Sequence, residues 1–104
     1  MNQIVPEQIE QLRQAGSVML LDVRTDPEVA RGLIAGSKHI PLNQLPARYQ
    51  ELNPEALLVV YCQSGARSAQ ACEWLAERGF AQVHNLQGGL LAWSRAGLPV
   101  TTPG

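Results

Sequence analysis

The chain has 104 residues, of which 45% are hydrophobic and 16% are charged, and its net charge is -1. This length is typical of one domain with its own hydrophobic core, and the composition excludes a disordered protein. Eight Lys and Arg residues stand against nine Asp and Glu residues, without a basic run. The charge therefore gives no indication of binding to nucleic acid or to a membrane surface. We predict a single domain over residues 1–104.

The apolar stretches are too short for a membrane protein. None of them approaches the ~18 residues that a membrane-spanning helix needs. The first residues, from Met1 to Pro6, contain no basic segment followed by an apolar one, which is the pattern of a secretory signal. We therefore expect a cytoplasmic protein with no membrane partner.

Short apolar runs alternate with helical patterns along the chain. Runs typical of strands lie at residues 3–5, 18–23, 38–40, 57–61 and 82–86. Helical patterns begin near residues 6, 25, 45, 68 and 89. At the second of these, Thr25 and Glu28 have the spacing of a capping box. Strands that alternate with helices through short loops predict an α/β sandwich around a mostly parallel sheet.

Cys62 directly follows the strand predicted at 57–61, and a turn of small residues then leads into a helix. The turn consists of Gln63, Ser64, Gly65, Ala66, Arg67 and Ser68. Because parallel α/β sheets bind ligands beyond the carboxyl ends of their strands, Cys62 is predicted to lie in a site that faces a helix N-terminus. Gly65 permits a backbone that turns its amides inward and forms a nest for an anion.

Three effects favour the thiolate of Cys62 over its thiol. Free N–H groups of the turn point at the sulfur, the helix dipole adds about half a positive charge, and Arg67 supplies a full one. Lowering a thiol pKa from about 8.5 to about 6.5 raises the ionised fraction at pH 7 from about 3% to roughly 75%. We therefore predict that Cys62 is a nucleophile, with a buried core cysteine as the less favoured alternative.

The second cysteine, Cys72, lies on the apolar stripe of the next helix, so packing in the core explains it. Most of the chain between the two cysteines is predicted to be helical, which holds their Cα atoms beyond the roughly 7 Å that a disulfide allows. His39 and His84 are scattered and do not complete a zinc pattern. We expect free thiols, no metal and no cofactor.

Asp22 and Arg24 end the first long strand. In a parallel sheet this places them at the same edge as Cys62. We predict that they support the Cys62 loop through an ion pair or a hydrogen bond.

Four segments, taken in order, resemble the rhodanese-like domain in its single-domain form. They are Leu-Asp-Val-Arg at 21–24, Gly-Leu-Ile-Ala-Gly-Ser-Lys-His-Ile-Pro-Leu at 32–42, the Cys62 loop, and Leu-Gln-Gly-Gly-Leu-Leu-Ala-Trp at 86–93 with Gly-Leu-Pro-Val at 97–100. The resemblance extends from about Gln3 to Val100. It implies a five-stranded sheet between two layers of helices, with strand order 1-5-4-2-3, and thus a three-layer α/β/α sandwich.

The resemblance also implies thiosulfate sulfurtransferase-type chemistry at Cys62. In that family the thiolate attacks the sulfane sulfur of a donor such as thiosulfate, sulfite leaves, and a persulfide remains on the enzyme. Cyanide, a thiol or an acceptor protein then takes the sulfur. The resemblance implies that the turn from Gln63 to Ser68 cradles the persulfide and the donor anion.

Two alternatives remain beside this function. Phosphatases of the same fold have a loop one residue longer between cysteine and arginine, and the shorter loop here suits a sulfur atom better than a phosphate. Some rhodanese-like domains are non-catalytic binding or sensing modules, but those usually lack the cysteine. Many family members also have a basic residue where this chain has Gln63, so the donor stays open.

Overall fold

The computed structural model describes residues 2–103, so Met1 and Gly104 of the predicted domain lie outside the described residues. Strands and helices alternate along this part of the chain. The strands are β1 (Asn2–Ile4), β2 (Met19–Asp22), β3 (Lys38–His39), β4 (Leu58–Tyr61) and β5 (Val83–Leu86). The helices are α1 (Pro6–Gln14), α2 (Asp26–Ala30), α3 (Leu45–Arg48), α4 (Ala66–Ala76) and α5 (Gly89–Arg95). Two 3₁₀ turns, Leu42–Gln44 and Tyr49–Glu51, flank α3.

The strands form one sheet in the order β1-β5-β4-β2-β3. Every strand pair within it is parallel, so the strand order and the parallel sheet that the family resemblance implies are confirmed. The register pairs Asp22 with Tyr61 on one side and with His39 on the other. The carboxyl ends of β2, β3 and β4 therefore meet at one edge, where Cys62 follows β4.

The two faces of the sheet are covered by different helices. On one face, Leu58, Val60 and Cys62 belong to a buried cluster that also contains Leu45 of α3 and the α4 residues Ala71, Cys72 and Leu75. On the other face, Val59 and Tyr61 join Ile9 of α1 and the α5 residues Leu90 and Trp93. Because side chains alternate along β4, this strand contributes to the hydrophobic cores on both faces of the sheet. The predicted α/β sandwich is confirmed.

The α4 helix begins at Ala66, two residues before the predicted start at Ser68. Gly65 precedes it with φ at 107°, a left-handed conformation that L side chains rarely adopt. This conformation of Gly65 allows the helix to begin at the next residue, without an intervening loop. The first helical amides consequently belong to the Cys62 turn itself.

The helices are short. With 11 residues, α4 is shorter than the ~20 residues that cross a bilayer. Within residues 2–103, no helix is long and apolar enough to span a membrane.

Candidate active site

Cys62 lies at the bottom of a turn whose donors surround its sulfur. The residue has an exposure of 0%. The Gly65 amide donates to Sγ at 3.1 Å and the Ser68 amide at 3.5 Å. The Ser68 hydroxyl oxygen lies 3.4 Å from the same sulfur. The turn therefore surrounds a single thiol with two amide donors and one hydroxyl.

The direction of these amides follows from what holds the carbonyl groups of the turn. The amide of Leu90 donates to the Cys62 carbonyl at 2.9 Å, and that of Leu91 donates to the Gln63 carbonyl at 3.1 Å. In a planar trans peptide the next N–H points opposite to the carbonyl. The amides of Gln63 and Ser64 are therefore turned away from α5. The free amides at the start of α5 and the carbonyls of the turn thus satisfy each other's hydrogen-bonding capacity.

The pKa of Cys62 is set by opposing effects. Burial raises the pKa of the thiol, but the hydroxyl and amide of Ser68 and the amides of Gly65 and Ser64 favour the thiolate. The hydrogen bonds outweigh burial, so the pKa of Cys62 lies below its ordinary value. This direction favours the thiolate, which is the nucleophilic form of a cysteine.

Arg67 faces a carboxylate outside the turn. Its guanidinium makes two hydrogen bonds to Glu28, at 2.7 and 2.9 Å. The Arg67 side chain lowers the pKa of Glu28 to about 2, although partial burial opposes it and Thr25 adds a backbone hydrogen bond. Glu28 thus compensates the positive charge that was predicted to favour the thiolate. The donors on the sulfur are the amides and Ser68 instead.

Asp22 and Arg24 form a buried ion pair, with Nη2 of Arg24 2.7 Å from Oδ2 of Asp22. The same nitrogen donates to the Gly32 carbonyl at 2.6 Å. Nη1 of Arg24 donates to Oε1 of Gln63 at 3.4 Å. The pair therefore reaches the Cys62 turn through Gln63.

An open groove lies beside the turn. It has a volume of about 390 Å³, and its lining includes Arg24, Arg31, Gln63 and Leu90. This volume falls within the ~300–1,000 Å³ of small-molecule sites. Elsewhere in residues 2–103, no group of three His, Cys, Asp or Glu side chains could hold a metal ion.

The fold and this loop geometry can be compared with known proteins. A family model described as the rhodanese-like domain matches residues 5–96. The chain belongs to the rhodanese-like family. A protein named sulfurtransferase from Allochromatium vinosum is 42% identical over 98% of this chain and 96% of its own length. The thiosulfate sulfurtransferase GlpE of Stutzerimonas stutzeri is 36% identical over 86% of this chain and 82% of its own.

Solved structures agree with this assignment. A rhodanese-related protein from Thermoplasma volcanium superposes with a TM-score of 0.90 and 30% identity, covering 97% of this chain and 98% of its own. Sequence and structure thus assign the chain to the same family. The sequence relatives support a sulfurtransferase role for this rhodanese-like domain.

Cys72, His39 and Trp93 have surroundings or hydrogen-bond partners of their own. Cys72 is buried in the core, and burial raises its pKa to about 12, so it is a poor nucleophile. Nε2 of His39 hydrogen-bonds the Arg24 carbonyl at 2.7 Å. Trp93 is packed in the core and donates to the Pro99 carbonyl at 2.9 Å.

Asn85 of β5 contacts the turn but was not predicted from the sequence. The residue is 3% exposed. Its amide contacts both the Gly65 carbonyl and the Ser68 hydroxyl. One signal was available, since an amide side chain next to the apolar Leu86 of a predicted strand must find polar partners when it is buried.

Gly89 touches the backbone of the rhodanese-like turn. A Cβ at this position would lie 2.6 Å from the carbonyl oxygens of Cys62 and Gln63, and φ is +61°. We expect Gly89→Ala to push the turn out of place, to cost about 1–3 kcal/mol of unfolding free energy, and to slow alkylation of Cys62. Urea unfolding and iodoacetamide kinetics measure both effects.

Gly97→Ala is the matched control for backbone strain. Gly97 also has a positive φ, +79°, but a Cβ added there would meet no atom within 4 Å. The variant should lose some stability and keep the alkylation rate of Cys62. Equal alkylation rates in the two variants would contradict a positioning role for Gly89.

Proposed function

We propose that this rhodanese-like domain takes sulfane sulfur from a small donor anion as a persulfide on Cys62 and passes it to a thiophilic acceptor. Cyanide, a small thiol or a protein would serve as this acceptor. The observation that carries the proposal is the ring of donors on Sγ, from Gly65 and Ser68 at 3.1–3.5 Å. Such donors stabilise negative charge on the attacking sulfur and on the persulfide that replaces it.

The proposed reaction consists of two displacements. The Cys62 thiolate attacks the outer sulfur of thiosulfate, forming the Sγ–S bond. The bond between the two sulfur atoms of thiosulfate breaks, and its electron pair leaves with sulfite. In the second step an acceptor attacks the outer sulfur, the Sγ–S bond breaks, and its electrons restore the thiolate.

The outer sulfur of the persulfide needs donors of its own. The first amides of α4, those of Ala66 and Arg67, cannot bond within the helix. A helix N-terminus also stabilises a nearby anion. We assign these amides to the outer sulfur and to the departing anion.

Intact-mass spectrometry after donor exposure tests the function. The protein should gain the mass of one sulfur atom with thiosulfate or with a small organic persulfide. Addition of cyanide should remove it and release thiocyanate. A protein that gains no mass with either donor would be a non-catalytic module of the same family.

Glu28 is expected to weaken the binding of a dianionic sulfur donor such as thiosulfate. It neutralises Arg67, the one cation of the turn. Glu28→Gln retains an oxygen that can cap α2 at Thr25, as Oε1 now does at 3.0–3.1 Å. We expect the KM for thiosulfate to fall roughly threefold to tenfold, since both side chains are partly exposed and solvent screens the gain.

Steady-state kinetics at two salt concentrations measure this change. Glu51→Gln is the control, because Glu51 also pairs with an arginine, Arg48, on a different part of the surface. It should leave the KM unchanged. A KM for Glu28→Gln that equals the wild-type value at both salt concentrations would contradict the expectation.

A further inference from the structure

Asn85 lies beside the Cys62 turn, and both polar atoms of its side-chain amide form hydrogen bonds. Nδ2 donates to the Gly65 carbonyl at 3.2 Å and to Oε1 of Gln3 at 3.3 Å. Oδ1 accepts from the Ser68 hydroxyl at 2.5 Å. Because both donors and the acceptor are engaged, the orientation of this buried amide is fixed.

The bond to Gly65 determines where the next amide points. The Gly65 carbonyl is drawn toward β5 by Asn85, so the Ala66 N–H of the same planar peptide points the opposite way. Gly65 has φ at +107°, and a glycine has the freedom to rotate this peptide. The Ala69 amide of α4 holds the same carbonyl at 3.1 Å, and Asn85 adds a second restraint on this peptide from β5.

The bond to Ser68 determines where one proton lies. The Asn85 oxygen carries no hydrogen, so the Ser68 hydroxyl must donate to it. The Ser68 oxygen, 3.4 Å from Sγ, then presents a lone pair to the sulfur and accepts the S–H of the thiol. When Cys62 ionises, the Ser68 proton can turn from Asn85 to the thiolate, which the amides of Gly65 and Ser68 continue to hold.

From these contacts we propose that Asn85 is a positioning residue for sulfur transfer at Cys62. It orients the Gly65–Ala66 peptide and the Ser68 hydroxyl around the sulfur without contacting the reacting atoms. This inference rests on the proposed function for its catalytic consequence. Its effect on the thiol itself can be measured without any sulfur donor.

Asn85→Asp is the isosteric test. A carboxylate replaces the Nδ2 donor with an oxygen that repels the Gly65 carbonyl and places a negative charge near the thiolate. We expect the pH profile of iodoacetamide alkylation at Cys62 to move up by one unit or more, which is about a tenfold slower reaction at pH 7. Single-turnover sulfur loading, followed by intact mass, should slow by a similar factor.

Asn85→Ser provides a second variant that shortens the side chain but adds no charge. Its hydroxyl is too short to hold the Gly65 carbonyl, so the profile should move in the same direction by less. His84→Gln is the matched control on the same strand, because neighbouring side chains of β5 project from opposite faces. It should keep the wild-type profile.

Circular dichroism and thermal melting establish that each variant is folded. Wild-type alkylation profiles in both folded Asn85 variants would overturn the inference, and if Asn85→Asp unfolds, Asn85→Ser decides alone. Shifted profiles in a protein whose wild type never gains sulfur would overturn the proposed function and with it the role in transfer. Shifted profiles together with slower loading support both.

Discussion

Cys62→Ser is expected to abolish sulfur loading completely. A serine hydroxyl keeps the shape of the side chain but is not ionised at neutral pH, and it loses the activation that the turn gives to a thiol. The donors at Gly65 and Ser68 would then surround an unreactive oxygen. Intact mass after exposure to thiosulfate or an organic persulfide should remain unchanged, and iodoacetamide labelling at pH 7 should disappear.

Cys72→Ala is the matched control for this result. Cys72 is also a buried free cysteine, but burial raises its pKa to about 12. The variant should load one sulfur atom at the wild-type rate, with some loss of stability from the removed side chain. A sulfur adduct that persists in Cys62→Ser would place the chemistry on Cys72 and refute the assignment.

Removal of one partner from the Asp22–Arg24 pair is expected to cause the largest loss of stability. Asp22 is 0% exposed and Arg24 is 2% exposed. Asp22→Asn leaves the guanidinium buried without its counter-ion, and such a change typically costs about 3–5 kcal/mol. Domains of this size have about 5–15 kcal/mol in total. Urea unfolding followed by circular dichroism should show the loss directly.

Two further variants make this measurement specific. Glu10→Gln removes a partner of Arg13 in an exposed pair with a separation of 3.6 Å, and it should leave the unfolding midpoint close to wild type. The double variant Asp22→Asn with Arg24→Met removes both charges and should recover part of the loss. If Asp22→Asn lost no more than Glu10→Gln, the buried pair would not be a determinant of the fold.

The sequence was sufficient to predict the strands and the place of Cys62. Continuous apolar runs such as 57–61 identify strands covered on both faces, and the edge where β4 ends carries the cysteine. The predicted boundaries of strands and helices differed from the observed ones by a residue or two. A residue such as Gly65 can belong to a turn or cap a helix, depending on its φ angle. The strand order came from the family resemblance and could not be deduced from periodicity.

The partners of charged and polar side chains were harder to predict. Arg67 was assigned to the thiolate because both belong to the same turn, whereas its partner Glu28 is 39 residues away along the chain. Glu28 already had a local explanation as a capping residue of α2. Asn85 is 17 residues from Ser68. Only the parallel pairing of β4 with β5 brings it beside the turn.

The hydrogen bonds between the turn and α5 have a consequence for the energetics of the proposed sulfur transfer. The carbonyls of Cys62 and Gln63 are held by the amides of Leu90 and Leu91, which belong to the fold itself. The dipoles around the sulfur are thus oriented before the substrate arrives, and little reorganisation free energy is spent when charge moves from thiolate to persulfide. Water, by contrast, would have to reorient around each new charge. The sheet and helices that stabilise the fold therefore also fix the backbone dipoles that would stabilise charge on the sulfur, in place of water.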